Sequence, residues 1–184
     1  MKISSLISLM LSMGALASEI AVGDLNGDGI LDRVEIIEPK DFLRDQINLI
    51  ITLKNKNGSV KKLEAPKALY YGPDIGLTIN KGVLIISYQG GARSKWIDVF
   101  KWRLDPKGND FVLTGRTFEA EDTIGNLPKE KVDANYLIGK ADRVIGKKKK
   151  SCSFKSKKIY LISYDFTQQK DDQLEELMKA CPIK

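Results

Sequence analysis

Apolar and polar side chains alternate along most of this chain, in short runs separated by residues that favour turns. Residues 32–38, DRVEIIE, carry Val34 and Ile36 on one face, and residues 46–54, QINLIITLK, form a β-branched run. Asn57-Gly58 then leads into residues 59–63. An Asn-Gly pair between two such runs is the strongest short-range signal for a hairpin. Residues 74–80 and 82–88 flank a turn at Asn80-Lys81-Gly82, residues 96–104 and 111–118 flank another at residues 105–110, and residues 158–166 read as one more strand. Only residues 171–180 are spaced as a helix. There Leu174, Leu177, Met178 and Cys181 make one apolar stripe, and acidic residues in the first turn complement the helix dipole. The pattern predicts a mostly β (α+β) fold, an antiparallel sheet or sandwich of about seven or eight strands closed by a C-terminal helix.

The first residues follow a different pattern. Met1 and Lys2 give a short positive start, Ile3 to Met13 form an apolar run broken only by serines, and Ala15-Leu16-Ala17 matches the small-x-small signal for signal peptidase. The apolar run, about 15 residues, is shorter than the roughly 20 that span a bilayer, and no cysteine follows the cleavage site to take a lipid. Residues 1–17 are therefore expected to be a cleaved signal peptide. Residues 18–184 are expected to be a single exported domain, periplasmic or secreted, not membrane-spanning and monomeric. The roughly 167 residues that remain suffice for one core. Removal of Lys2 takes the net charge from +6 to about +5. Cys152 and Cys181 are the two cysteines, and an even, minimal count in an exported chain reads as one disulfide. Closing a loop of about 29 residues contributes roughly 3–4 kcal/mol on the chain-entropy model, and the bridge would pin the C-terminal helix.

The densest chemistry lies in residues 24–35, DLNGDGILDRVE. Asp24, Asn26, Asp28 and Asp32 place oxygens at near-alternate positions, and Gly29 stands where the loop must turn sharply. Ca²⁺ takes six to eight oxygen ligands, and alternate residues of a tight loop can aim theirs inward. Read literally the segment satisfies the EF-hand pattern, with Glu35 as the closing bidentate ligand. An EF-hand needs an entering helix, however, and residues 33–37 are β-branched, with Glu35 turned away from Val34 and Ile36. The spacing instead predicts a loop flanked by strands, in which Asp24, Asn26, Asp28, the Ile30 carbonyl and Asp32 hold the ion. The plain alternative is an Asp-Asn-Gly turn that binds nothing.

Residues 23–32, GDLNGDGILD, resemble the calcium loop of FG-GAP or VCBS-type repeats, in which the ligands match Asp24, Asn26, Asp28, the Ile30 carbonyl and Asp32. The resemblance covers about a dozen residues and occurs once, whereas a propeller takes typically four or more blades. The remainder resembles, more loosely, exported bacterial proteins that open with a DLNGDG loop. These continue with a Gly-Gly…Trp…aromatic strand, here Gly90-Gly91 and residues 96–102, then Phe-x-Leu-x-Gly at residues 111–115 and Asn-Tyr-Leu-x-Gly at residues 135–139. That resemblance implies a fold and a compartment but no activity.

Two further segments are candidate contacts. Trp96, Asp98, Phe100 and Trp102 share one face of a strand that has Ile97, Val99, Lys101 and Arg103 on the other. Such a face can stack on a sugar or peptide, but a core strand buried on both faces is the expectation. Lys147, Lys148, Lys149 and Lys150, with Lys140 and Arg143 before them and Lys155, Lys157 and Lys158 after, set up a positive field interrupted by Asp142. Its fitting partners outside the cytoplasm are lipopolysaccharide phosphates, anionic lipid or a cell-wall polymer. Nucleic acid is not expected, since no binding module accompanies the run, and the break in pattern at Gly146 favours a solvated loop.

The chain has no histidine, which removes the Ser-His-Asp triad and most zinc sites. Two function classes follow. One is a binding module for an envelope protein or polysaccharide, with Ca²⁺ in a structural role and no enzymatic activity. The other is an envelope hydrolase using a carboxylate pair, of the kind that Glu119, Glu121 and Asp122 would supply if a cleft brought two of them about 5–10 Å apart.

Overall fold

A computed structural model of the chain describes residues 20–37, 46–70, 74–125, 127–166 and 172–183. The expected signal peptide, residues 1–17, lies outside these. Four strands form one antiparallel sheet in chain order: β1 (Ile20–Gly23), β2 (Asp32–Ile37), β3 (Gln46–Lys54) and β4 (Val60–Tyr70). Seven more form a second antiparallel sheet, again with each strand beside its neighbour in sequence. They are β5 (Asp74–Asn80), β6 (Val83–Gly90), β7 (Ser94–Leu104), β8 (Phe111–Asp122), β9 (Glu130–Asn135), β10 (Lys140–Ile145) and β11 (Lys148–Ser153). Helix α1 (Asp172–Ala180) follows. The mostly β, antiparallel expectation holds, with one helix at the C-terminus.

The two sheets share a core. Val34, Leu49, Ile51 and Leu63 from the smaller sheet are buried in one cluster with Leu84, Ile86, Phe100, Trp102 and Leu113 from the larger. Burying each such side chain contributes roughly 1.5–3 kcal/mol. The sheets meet where β1 approaches β5. A Cβ on Gly23 would lie 2.6 Å from Cγ2 of Ile79, so the close approach needs glycine. Strand β7 buries Phe100 and Trp102 on its inner face, while Ile97, on the other, is 43% exposed. The strand is thus core on one face, not on both. Phe100, Trp102, Tyr88, Tyr164 and Phe166 pack as one aromatic cluster, mostly edge to face, with Tyr164 and Phe166 centroids 4.3 Å apart. Trp96 is partly buried over Gly90, where an added Cβ would meet its ring at 3.0 Å.

Among the described residues eleven strands stand where about seven or eight were expected. The additions are β1 and β9 to β11, whose sequences carry few large apolar residues. Only Val132 and Ala134 are buried in β9, and β11, KKKSCS, exposes nearly its whole length. β11 exists because β10 offers it a ladder from Lys140↔Ser153 to Ile145↔Lys148. Its lysines suit an outermost strand, since charge there discourages pairing with another chain. Lys148 to Lys150 are thus strand, not the loop that Gly146 suggested, and only Lys147 lies in the turn. In the opposite direction, residues 158–166 are not a strand. They touch β8 through a single bridge, Val112↔Tyr160, and then turn. Their apolar residues serve as a plug, with Leu161 and Tyr164 buried at 0% and 3%.

Candidate functional site

The DLNGDG loop connects β1 to β2, so strands flank it on both sides. Leu25, 4% exposed, anchors it in the core, and glycines at positive φ (Gly27 at 78°, Gly29 at 83°) fold the backbone round the side chains. Asp24 is the hub: its Oδ1 accepts the N–H groups of Gly27 at 2.7 Å and Asp28 at 3.2 Å, and its Oδ2 that of Gly29 at 2.9 Å. Asn26 donates its amide N–H to the Lys54 carbonyl at 3.0 Å and to Asn55 Oδ1 at 3.2 Å. That fixes its Oδ1 toward the loop, where it accepts the Asp28 N–H at 3.1 Å. Asp28 accepts from Ile30 N–H at 2.8 Å and, across to the β3–β4 turn, from Lys56 N–H at 3.1 Å. The Ile30 side chain is exposed, and its N–H is the group turned to the loop's carboxylates.

Asp32 is used differently. It is fully buried, and its carboxylate ties the loop to the end of β3 by accepting Leu25 N–H at 2.8 Å and Lys54 N–H at 2.7 Å. The structure therefore gathers Asp24, Asn26 and Asp28 round one turn and ties Asp32 into the strand frame beside it. Among the described residues no three Asp, Glu, Cys or His side chains converge as a metal centre. The donor set nonetheless fits a hard cation: it is all oxygen, and each carboxylate has about four acceptor positions, of which backbone N–H groups fill three on Asp24 and two on Asp28 and Asp32. Glu35 sits on β2 with its carboxylate paired to Arg33 at 3.0 Å, away from the loop.

The loop also touches the larger sheet. A groove of about 450 Å³ beside it is lined by Asp24 and Asn26 on one side and by Lys81, Gly82 and Arg103 on the other. The backbone oxygens of Asp24 and Leu25 lie within 4 Å of where a Cβ on Gly82 would stand. The loop is thus a joint, held by the β3–β4 turn of one sheet and the β5–β6 turn of the other.

The remaining candidates separate. Cys152 and Cys181 are bonded, with their Cα atoms 5.5 Å apart, joining β11 to the end of α1. Lys149 pairs with Asp142 at 2.8 Å and Lys150 donates to the Pro182 carbonyl at 2.9 Å, whereas Lys147 lies in the exposed turn before β11. Of the acidic group, Glu119 pairs with Lys129 at 3.1 Å and Lys131 at 2.7 Å, and these two ammonium groups hold its carboxyl below the usual range. Asp122 accepts the Ile124 N–H and Glu121 is exposed. Asp133 and Asp142 do face each other across β9 and β10, in an open groove of about 470 Å³. Lys149 and Ser151 lower the Asp142 carboxyl.

One polar pair was missed from sequence. Asp98 and Arg116, 8% and 3% exposed, form a forked ion pair between β7 and β8, with Nε 2.9 Å from Oδ1. The guanidinium lies 4.7 Å over the Phe100 ring. The signal was present, because Asp98 shares a face with Phe100 and Trp102, and a charge on a buried face needs a partner. No protein-family model, curated protein or solved structure matches the chain. Among the described residues no helix is long and apolar enough to cross a membrane.

Proposed function

We propose that this is an exported binding module, periplasmic or secreted, whose DLNGDG loop takes Ca²⁺ in a structural role. The observation that carries the reading is the loop's place as a joint. Its oxygens stand between the β3–β4 turn, through Asn26–Lys54 and Asp28–Lys56, and the β5–β6 turn at Gly82. An ion held by Asp24, Asn26 and Asp28, with Asp32 and the Ile30 carbonyl adjoining, would cancel the repulsion of close carboxylates. It would thereby stiffen the loop where it meets the turns of both sheets. Extracellular calcium is about millimolar, so a weak site of the extracellular class would be filled. The Cys152–Cys181 bridge agrees with an oxidising compartment. A non-catalytic role is favoured because the facing carboxylates Asp133 and Asp142 lie in an open groove where Lys149 and Ser151 hold the Asp142 carboxyl low, whereas a general acid needs a raised pKa. Calorimetric titration of residues 18–184 with CaCl₂ tests the proposal. One saturable site is expected, lost in Asp28→Ala and retained in Glu35→Gln. No heat of binding at millimolar calcium would refute it, and loss in Glu35→Gln would restore the EF-hand geometry.

A further inference from the structure

The end of the larger sheet at the β9–β10 turn carries two features that the calcium loop does not use. One is apolar: Leu137 and Ile138, adjacent at the tip of the turn, are 66% and 63% exposed. Both side chains are therefore available to an apolar contact. The other is cationic. The Gly139 carbonyl accepts the Phe154 N–H at 2.9 Å and the Tyr136 carbonyl accepts the Ser156 hydroxyl, so the segment after β11 runs along the turn. It brings exposed Lys155, Lys157 and Lys158 to the same end. No ion pair among the described residues engages any of the three. Between this segment and α1 lies a groove of about 490 Å³, floored by the edge-to-face rings of Tyr136 and Phe154 and by Leu177, with Glu176 as its acidic lining residue.

We propose that this end docks on an anionic lipid surface, with Leu137 and Ile138 entering the interface and Lys155, Lys157 and Lys158 meeting headgroup phosphates. Charge complementarity selects the occupant: three uncommitted cations face outward here against one acid. Lysines on flexible stems beside a protruding apolar pair suit a fluid interface, because the stems can follow the apolar side chains while the ammonium groups stay at headgroup level. The other candidate ends fit less well. Lys149 and Lys150 are already engaged by Asp142 and Pro182. The exposed Ile124 and Leu127 at the opposite end of the sheet share their loop with Asp122, and Lys129 there is tied to Glu119. The inference stands apart from the calcium reading.

Sedimentation of residues 18–184, which retain every described element, with vesicles of phosphatidylglycerol and phosphatidylcholine or of phosphatidylcholine alone tests it. Binding to the anionic vesicles only is expected, weakened by salt. Replacing Lys155, Lys157 and Lys158 by Gln should weaken it roughly fivefold for each lysine. Leu137→Ser with Ile138→Ser should weaken it by about tenfold or more, with the melting temperature unchanged in both variants. Gln at Lys147 to Lys150, or Ser at Ile124 and Leu127, should leave it within about twofold. No binding to anionic vesicles, equal binding to neutral ones, or loss that tracks Lys147–Lys150 or Ile124 and Leu127 would overturn the proposal. So would binding that ignores Leu137 and Ile138 and is competed by inorganic phosphate or an acidic peptide, since the cations would then serve a free anion or a protein.

Discussion

Arg116 and Asp98 are the side chains whose removal should cost most for their size. Breaking a buried pair strands a charge without its partner and costs about 3–5 kcal/mol, whereas replacing both members is far milder. Urea melts should therefore show Asp98→Asn and Arg116→Met each strongly destabilising, and the double variant less so than the two losses added. Strict additivity would mean that the pair is not coupled. Asp110 makes a pH prediction. Burial pushes its carboxyl up, more than the N–H groups of Phe111 and Ile162 pull it down, and Asp105 adds repulsion. A carboxyl raised on folding favours the folded state most below its unfolded pKa, about 3.9, and that contribution is lost as pH rises through the folded value. Asp110→Asn keeps an oxygen for both N–H bonds, at 2.6 and 3.1 Å, and removes the charge. Its stability relative to wild type should rise between pH 4 and 7, by denaturant midpoint, and a fall would contradict the account. Such pairings were hard to read from sequence because they are diagonal or distant. Arg116 lies across from Phe100 and reaches Asp98, and Asp110 meets Ile162 from far along the chain.

At the scale of elements, the C-terminal helix shows how little local propensity is needed when tertiary anchors exist. With nine residues, α1 is shorter than the about 12–15 that hold a helix alone in water. Its stability comes from burying Leu174, Leu177 and Cys181, from the bridge to Cys152, and from Arg143. That side chain pairs with Glu130 at 2.8 Å and donates to the Met178 and Cys181 carbonyls at 3.3 and 3.1 Å, capping the helix end. Cys152→Ser with Cys181→Ser should lose roughly 3–4 kcal/mol, and amide exchange should quicken over residues 172–180 before the sheets respond. Unchanged exchange there would mean that the helix stands without its bridge. The helix was legible because its apolar stripe has one period. β2, β3 and β5 to β8 were legible because each buries a full apolar face. β9 to β11 were not, because small residues such as Ala134 and Ala141 carry the burial and charge covers the rest. Residues 158–166 misled for the converse reason: β-branched and aromatic residues pack equally well as a plug.

On the scale of the whole molecule, the account rests on two sheets sharing a core and a loop that joins them. The gathering of Asp24, Asn26 and Asp28 round one turn was legible from spacing alone, but the use of Asp32 was not, since only the fold brings Lys54 N–H to that carboxylate. This separates two roles that calcium would otherwise blur. Asp32→Ala leaves two N–H groups of the frame unpaired, at about 1–3 kcal/mol each, and should lower stability even in chelator. Asp28→Ala should act mainly through the ion. Ligand at a hundredfold excess over Kd stabilises the folded state by about 2.7 kcal/mol, several degrees in melting temperature for a domain of this size. The most direct measurement is the melting temperature of the protein with EGTA and with millimolar CaCl₂. The account predicts a rise of several degrees with calcium that disappears in Asp28→Ala, and identical melting in the two conditions would contradict it.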